Sequence, residues 1–312
     1  MDKLIRLIIN VRFLDKAAIT TPEDQVTKGS STLPNPWRLN TVHRVEELKT
    51  IIRMAPIWAS GILVITAAAQ QNTFSLQQAQ TMDRRISPSS SFKIPAGSMS
   101  VFTMLAMLST ISLYDRVLIP FARRFTGLGR GISFLQRMGL GFVISTLASL
   151  VAGFVEERRK NVAAAHGLID SPEATIPISV FWLVPQYALH GMAEAFTSIG
   201  HLEFFYDQSP ESMRSTATAL FWMVISAGSY TSTMLVSVIH KYSAGPGGSN
   251  WLPNNLNKGK LEYFYWIVTA LQVVNLLYFA VCAKFYTFKP VQIRTQKGEG
   301  VKDEASVELS KV

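Results

Sequence analysis

The stretch LVPQYALHGMAEAFTSIGHLEFFYDQSP, residues 183–210, places the carboxylate of Glu194 in the middle of an uncharged run. Between residues 174 and 202 no other Asp, Glu, Lys or Arg occurs. An uncharged helix of about 18 residues or more is long enough to cross the roughly 30 Å hydrocarbon core of a bilayer. The first question is therefore whether this segment crosses a membrane, and the second is why it carries a carboxylate.

Long uncharged runs recur along the whole chain of 312 residues, which is 48% hydrophobic and only 16% charged. Composition alone suits either an apolar soluble domain or a membrane protein, but six such runs in one chain have no good explanation in a soluble fold. We therefore predict an all-α, multi-pass membrane protein with six transmembrane helices. The uncharged runs lie at residues 57–82, 94–114, 138–155, 174–193, 215–239 and 263–283.

The net charge of +9 is carried by the segments between and beside these runs. Because no basic strand or helix with interleaved aromatic residues is found, we do not expect a nucleic acid as partner. Under the positive-inside rule, the Arg-rich connection 116–137 and the C-terminus are cytoplasmic. The connections that then lie outside are 83–93, 158–175 and 243–260. Arg158, Arg159 and Lys160 run against the rule there.

Three regions follow from these spans. They are a cytoplasmic linker with an amphipathic helix at 1–55, a six-helix transmembrane bundle at 56–287 and a disordered cytoplasmic tail at 288–312. The N-terminus is a poor signal peptide because arginines interrupt its apolar stretch, and residues 20–40 have the composition of a flexible polar loop. Pro56 is expected near the start of the first membrane helix, where a missing backbone donor costs least.

Polar residues inside the predicted spans recur at helical spacing. An isolated Ser or Thr there usually bonds to its own backbone, whereas clustered Gln residues and carboxylates must face a partner or a cavity. In the first span the spacing of i, i+4, i+7 and i+11 places on one face Thr66, Gln70, Thr73 and Gln77. The later spans contribute Tyr187, His190, Glu194, Ser198 and His201, then Thr218, Trp222, Ser226 and Ser229, and finally Gln272 and Asn275.

Glu194 is expected near mid-depth, too far from either interface for its side chain to reach water. Three interpretations remain open: a substrate or proton site, a structural glutamate bonded to other helices, or a metal ligand together with His190 and His201. A complete metal shell is difficult to assemble, since no second acidic residue is expected inside a span. We favour the first interpretation, because proton coupling requires a group that changes charge at mid-membrane.

Eight blocks between residues 12 and 290 carry a family resemblance. They are RFLDKAAI at 12–19, RMAPIW at 53–58, QQNTFSLQQAQTMDR at 70–84, YDRVLIPFARRFTG at 114–127, LQRMGLG at 135–141, PQYALHGMAEAF at 185–196, EFFYDQSPESMRS at 203–215 and NLNKGKLEYFYW at 255–266. Together they resemble the plant nitrate/peptide transporter family, part of the proton-coupled oligopeptide transporters of the major facilitator superfamily. The resemblance is nearest to members associated with nitrite, nitrate and gibberellin. In that family the first block follows the sixth helix, so the resemblance implies helices seven to twelve, the C-terminal half of the fold.

The resemblance also implies roles for single residues. Glu194 matches the family's tenth-helix carboxylate, which meets the substrate and takes part in coupling. Ala68 stands where a nitrate-binding member has a histidine, so recognition of nitrate through an imidazole is not expected. The resemblance adds Gln70, Thr73, Gln78 and Trp222 to the substrate or proton pathway, beside Tyr187 and Asn275 from the helical spacing. The charges of the cytoplasmic gate, which can also be plain positive-inside anchors, are Asp115, Arg116 and Arg124.

The leading hypothesis is the C-terminal half of a proton-coupled symporter for nitrate, nitrite, small peptides or hormone-like organic acids. Its expected partners are the lipid bilayer, a missing six-helix N-terminal half, protons and a small-molecule substrate. No cofactor and no enzymatic activity are expected, since the histidine boxes of membrane metalloenzymes are absent from the sequence. The alternative is a truncated protein that transports nothing and at most associates with full-length relatives. We expect the plasma membrane, with an organelle membrane as the second choice.

Overall fold

The computed structural model describes residues 12–19, 40–87, 89, 91–126, 131–243, 250–253 and 255–286. The described part is a bundle of long helices: α1 Val42–Thr81, α2 Ser100–Leu113, α3 Ile119–Thr126, α4 Phe134–Ala165, α5 Val184–Gln208, α6 Arg214–Ser243 and α7 Leu261–Phe285. A π-helical turn, Tyr114–Leu118, joins α2 to α3, so that the two form one span. Two short strands, β1 Met82–Asp83 and β2 Ile176–Ser179, complete the set. The expectations for residues 1–11, most of 20–40 and 288–312 lie outside the described residues.

The helical segments agree with the six predicted spans. Among the described residues, five segments are long and apolar enough to cross a membrane: α1, the α2–α3 segment, α4, the α6 segment and α7. The remaining helix, α5, has 25 residues but is less apolar than the others. It is the helix that carries Glu194, and its polar residues account for the difference.

The first helix starts earlier than the sequence predicted. α1 is 40 residues long, about 60 Å at 1.5 Å per residue, and Pro56 lies inside it rather than near its start. Thr41 caps the helix by accepting a hydrogen bond from the backbone N–H of Arg44 at 3.4 Å. Lys49 bonds to Glu46 at 2.5 Å and to Asp15 of the preceding segment. The amphipathic segment and the first span are therefore one continuous helix.

Two other predicted span ends are corrected. The fourth helix, α4, continues to Ala165, so the charged residues after 155 belong to the helix and not to a connection. The window that opened at 174 starts instead as strand β2 and a 3-10 turn, and α5 begins only at Val184. Pro185 lies in the first turn of α5, where its fixed backbone favours helix initiation.

We call the end where α1 begins the inner end and the end where it finishes the outer end. At the outer end, β1 and β2 pair in parallel with Met82 opposite Ile176, a small sheet that the all-α prediction missed. Hydrogen bonds from Arg85 lower the pKa of the neighbouring Asp83 carboxyl. At the inner end, the helices share an apolar core. Its largest fully buried side chains are Met54, Ile57, Met138, Phe142, Phe204 and Phe205.

Glycines allow the helices of the bundle to approach closely. A Cβ atom on Gly191 of α5 would collide with the backbone carbonyl oxygen of Thr103 in α2. On the opposite side, one on Gly200 would lie 2.7 Å from the Met138 side chain of α4. Small residues at such crossings are typical of packed transmembrane helices, where dispersion contacts replace the hydrophobic effect.

Candidate functional site

Glu194 lies near the middle of α5, ten residues after Val184 and fourteen before Gln208. Its side chain is exposed on the surface of the bundle, and it has no hydrogen bond or ion pair with another described residue. A glutamate that bonded the helices together would be buried and paired, so this geometry does not support the structural interpretation. An exposed carboxylate at mid-span must face either a cavity or a further part of the protein.

The two histidines on α5 do not join Glu194 in a metal site. His201 is buried and bonds through Nδ1 to the carbonyl oxygen of Thr197 at 2.9 Å. Its ring stacks on Phe142, with ring centroids 5.9 Å apart, and His190 is buried as well. Within the described part of the chain, no group of three His, Cys, Asp or Glu residues is close enough to hold a metal ion.

The polar residues on this face of α1 have different hydrogen-bond partners along the helix. Its inner members bond to α6: Thr66 donates to the carbonyl oxygen of Gly228 at 3.2 Å. Gln70 donates to the carbonyl oxygen of Ser232 at 2.7 Å and to its hydroxyl at 2.6 Å. The outer member Thr73 is exposed and donates only to its own helix, at the carbonyl of Ala69.

A polar cavity of about 730 Å³ opens between the outer halves of α1 and α6. The exposed side chains of Thr73 and Gln77 form one side of it, and Leu252 and Pro253 of the connection before α7 close its outer end. The structure therefore brings Gln70, Thr73 and Gln77 to one cavity, but Glu194 does not line it.

The other predicted pathway residues divide between surface and interior. Trp222 on α6 is 61% exposed. Tyr187 is buried, and Asn275 is buried and donates to the backbone carbonyl of Ser60 at 2.9 Å. Gln78 is fully buried and bonds to Glu156 at 2.8 Å. With Gln70, four of the candidates therefore lie inside the bundle in this structure.

Gln78 belongs to a buried polar network that the sequence did not predict. Its centre is the pair of Glu156 and Arg159 on α4, both fully buried, which are joined by two hydrogen bonds of 2.7 and 2.6 Å. Arg159 also donates to Thr81 at 3.1 Å and to Asn257 at 2.7 Å. Gln186, Ser75 and Tyr265 extend the network to α5, α1 and α7. Four helices are thus joined at the outer end.

This network explains part of the departure from the positive-inside rule. Arg159 is neutralised by Glu156, and Lys160 forms an ion pair of 2.6 Å with Glu262 of α7. The spacing of i and i+3 between Glu156 and Arg159 is a signal that could have revealed the pair. A charged pair inside a helix and two charges that end a span look the same in the sequence alone.

At the inner end the ion pair involves different residues from the predicted gate. Arg137 of α4 pairs with Glu203 of α5 at 2.7 Å and also bonds to the hydroxyl of Tyr114 in the π-helical turn. A cavity of about 690 Å³ is lined by both partners and by Asp115. Asp115, Arg116 and Arg124 are all exposed. π-helical turns are frequent at functional sites, so the position of this turn beside the cavity is informative.

Long apolar helices, an exposed carboxylate at mid-span and a cavity at each end are the features of a helical membrane protein. A family model described as "PTR2: POT family" matches residues 8–252, and the chain belongs to this family. The family is one of transporters rather than enzymes.

Relatives in Arabidopsis thaliana agree with this assignment. Protein NRT1/ PTR FAMILY 3.1 is 65% identical over 302 residues, which cover 96% of this chain and 50% of that protein. Protein NRT1/ PTR FAMILY 8.2 is 44% identical over 277 residues, covering 89% of this chain and 47% of that protein. The chain spans about half the length of the curated relatives it matches.

Solved structures show the same fold. One, described as "Crystal structure of auto inhibited POT family peptide transporter", matches with a TM-score of 0.58 at 20% identity and covers 78% of this chain and 43% of that one. The POT family transporter PepTSo matches with a TM-score of 0.55 at 21% identity, with the same coverage. The predicted fold, the six-helix C-terminal half of a major facilitator protein, is therefore confirmed.

Proposed function

We propose that this chain supplies the C-terminal half of a proton-coupled symporter and that Glu194 is its proton-coupling carboxylate. The observation that supports this most directly is the exposure of the Glu194 side chain at mid-span without a partner among the described residues. In transporters built from two repeats, the substrate site lies near the midplane between the halves. A carboxylate on the surface of one half has the position that such a site requires.

The proposed substrates are nitrate, nitrite, small peptides or hormone-like organic acids. In this proposal the exposed residues Thr73 and Trp222 line the pathway with Glu194. Because position 68 is an alanine, no imidazole binds the substrate at that position. The buried candidates Gln70, Gln78, Tyr187 and Asn275 support the pathway by holding the helices that form its wall. The charges of Asp115, Arg116 and Arg124 act at the inner gate.

The deciding experiment changes Glu194 in a chain fused behind the N-terminal half of the 65% identical Arabidopsis relative. Glu194→Gln keeps the size of the side chain but removes its charge. Uptake driven by an imposed pH gradient should fall by about tenfold or more, while membrane abundance stays near wild type. Substrate counterflow, which needs no net proton movement, should be retained.

The matched control is Glu194→Ala, which also removes the size and polarity of the side chain and should reduce both gradient-driven uptake and counterflow. A glutamate with a packing function only would leave the Gln variant nearly silent in both assays, and only the Ala variant would lose uptake. Wild-type gradient-driven uptake by Glu194→Gln at normal abundance would therefore exclude the coupling function.

The second candidate function is that of a membrane protein without transport activity. Reconstitution of the 312-residue chain alone in proteoliposomes is the first step in distinguishing the two candidate functions. We expect insertion without uptake, because one half offers only one wall of the pathway. The symporter proposal then requires that adding the N-terminal half restores uptake, and the alternative requires that it does not.

A further inference from the structure

Among the three consecutive basic residues near the outer end of α4, one has no acidic partner in the described structure. Arg159 and Lys160 are paired with Glu156 and Glu262. Arg158 points away from the bundle, and its guanidinium lies over the ring of Trp182, 4.3 Å from the ring centroid. Its neighbour Glu157 is exposed too and has no ion pair with another described residue.

These two charges lie at one end of a groove of about 720 Å³ between α4 and the start of α5. The groove changes in character along its length. Toward mid-membrane it is lined by Val151, Phe154 and Val155, and toward the outer end by four polar side chains together with Val162 and Ala165. The polar side chains are Glu157, Arg158, Asn161 and His166. The groove thus carries its polar groups where headgroups are expected and none where hydrocarbon is expected.

The groove lies on the side of the bundle away from the proposed transport site. Pro185 lines the groove and Glu194 lies nine residues later on the same helix. At about 100° per residue, nine residues correspond to roughly 900°, which places the two side chains on opposite faces of α5. On α4 the buried Glu156 and Arg159 point inward, whereas Glu157 and Arg158 point outward. The groove therefore faces lipid rather than the transport pathway.

We propose that this groove binds one outer-leaflet phospholipid with a zwitterionic, amine-bearing headgroup. The guanidinium of Arg158 presents several N–H donors in a fixed plane, a geometry that suits a phosphate. The carboxylate of Glu157 is complementary to the amine and repels an additional negative charge. An acyl chain covers Val151 and Phe154, the latter 54% exposed. Trp182 is typical of the membrane interface, where an aromatic ring has one apolar side and one wet side.

The depth of the groove in the bilayer supports a phospholipid as its occupant. α4 has 32 residues, about 48 Å at 1.5 Å per residue, whereas a bilayer including its headgroups is about 40–45 Å thick. The outer turns of α4, which carry Arg158 and Asn161, therefore lie at headgroup level. A free phosphate ion would use only the polar end of the groove and would meet the negative charge of Glu157.

The test is native mass spectrometry of the purified 312-residue chain in detergent with matched phosphatidylethanolamine and phosphatidylglycerol. We expect one tightly bound lipid per chain and a preference for phosphatidylethanolamine. Arg158→Ala should weaken its binding by about tenfold, the loss expected for one charge-assisted contact. Arg158→Lys should restore part of it. The matched control Lys258→Ala, at an outer-side lysine bound to Asp170 outside the groove, should leave binding unchanged.

Glu157→Gln provides a second, independent arm, because this exposed side chain is not needed for packing. It should abolish the preference for phosphatidylethanolamine over phosphatidylglycerol while leaving a lipid bound. The proposal is overturned if Arg158→Ala binds lipid as well as the wild type does, or if the wild-type protein prefers phosphatidylglycerol. Displacement of the lipid by millimolar inorganic phosphate would also overturn it.

Discussion

Glu156 and Glu194 are both glutamates within transmembrane helices, but their surroundings differ in every respect. Glu156 is fully buried and accepts hydrogen bonds from Gln78 and from two nitrogens of Arg159. Glu194 is exposed and has no such partner among the described residues. The first carboxylate is held in place by the hydrogen bonds of its neighbours, whereas the second is the one that we propose meets a proton or a substrate.

The buried pair should be intolerant of single changes. Arg159→Gln leaves the Glu156 carboxylate buried without its cation, and we expect a loss of roughly 3–5 kcal/mol in the free energy of unfolding. The double variant Glu156→Gln/Arg159→Gln should lose less than Arg159→Gln alone, because no unpaired charge remains. Denaturant unfolding in detergent measures both.

The control for this prediction is Glu211→Gln. Glu211 is 82% exposed and 3.8 Å from Arg214, so its removal should cost less than about 1 kcal/mol. If Arg159→Gln cost no more than this surface variant, the buried pair would have no structural importance.

At the residue scale, Glu194 could be singled out from the sequence, whereas the hydrogen-bond partners inside the bundle could not. An isolated carboxylate in an uncharged run is visible without a structure, because its cost in a membrane depends only on local composition. The partners of Gln78 are not visible in this way. Gln78 and Glu156 are 78 positions apart, and only the packing of α1 against α4 brings them together.

At the scale of the elements, the contact between α2 and α5 depends on a missing side chain. Gly191→Ala would place a methyl group against the backbone of Thr103, which cannot move without displacing the helix. We expect a loss of roughly 1–3 kcal/mol in the free energy of unfolding, or a visible fall in membrane abundance. Thermal unfolding in detergent checks the first and quantitative immunoblotting the second.

Gly97→Ala is the matched control, since no atom lies within 4 Å of the position of its new Cβ. It should unfold like the wild type. Equal stability of the Gly191 and Gly97 variants would show that the two helices can separate without cost.

The sequence predicted that the helices exist more accurately than it predicted the residues at which they end. The charge-free windows located the spans because an uncharged run is needed wherever helix meets hydrocarbon. They placed the end of α4 at 155, ten residues before Ala165. The reason is that a charged residue paired inside the bundle cannot be distinguished in the sequence from a charged residue in a loop. Pro56 was misplaced for a related reason: proline is tolerated inside membrane helices when neighbours stabilise them.

At the scale of the whole molecule, the orientation predicted from loop charges can be tested directly. With Cys282 replaced, single cysteines at Ser91 and Ala164 should react with a membrane-impermeant maleimide applied from outside. A cysteine at Glu211 should react only after permeabilisation, since this residue lies in the inner connection between α5 and α6. All three positions are exposed in the structure, so lack of reaction cannot be attributed to burial. The reverse labelling pattern would invert the topology.

The length and anchoring of α1 have a mechanical consequence. This helix is joined near its outer end to α4 through Gln78 and Glu156, and near its inner end Lys49 bonds to Asp15 of the short segment Arg12–Ala18. A straight rod about 60 Å long that pivots at its outer end by about 10° moves its inner tip by about 10 Å. Such a rotation would carry α6 and α7 with α1, because Thr66 and Gln70 bond to α6 and Ser60 accepts a hydrogen bond from Asn275 of α7. A distance probe attached beside Asp15 would report small rotations of the bundle as large displacements.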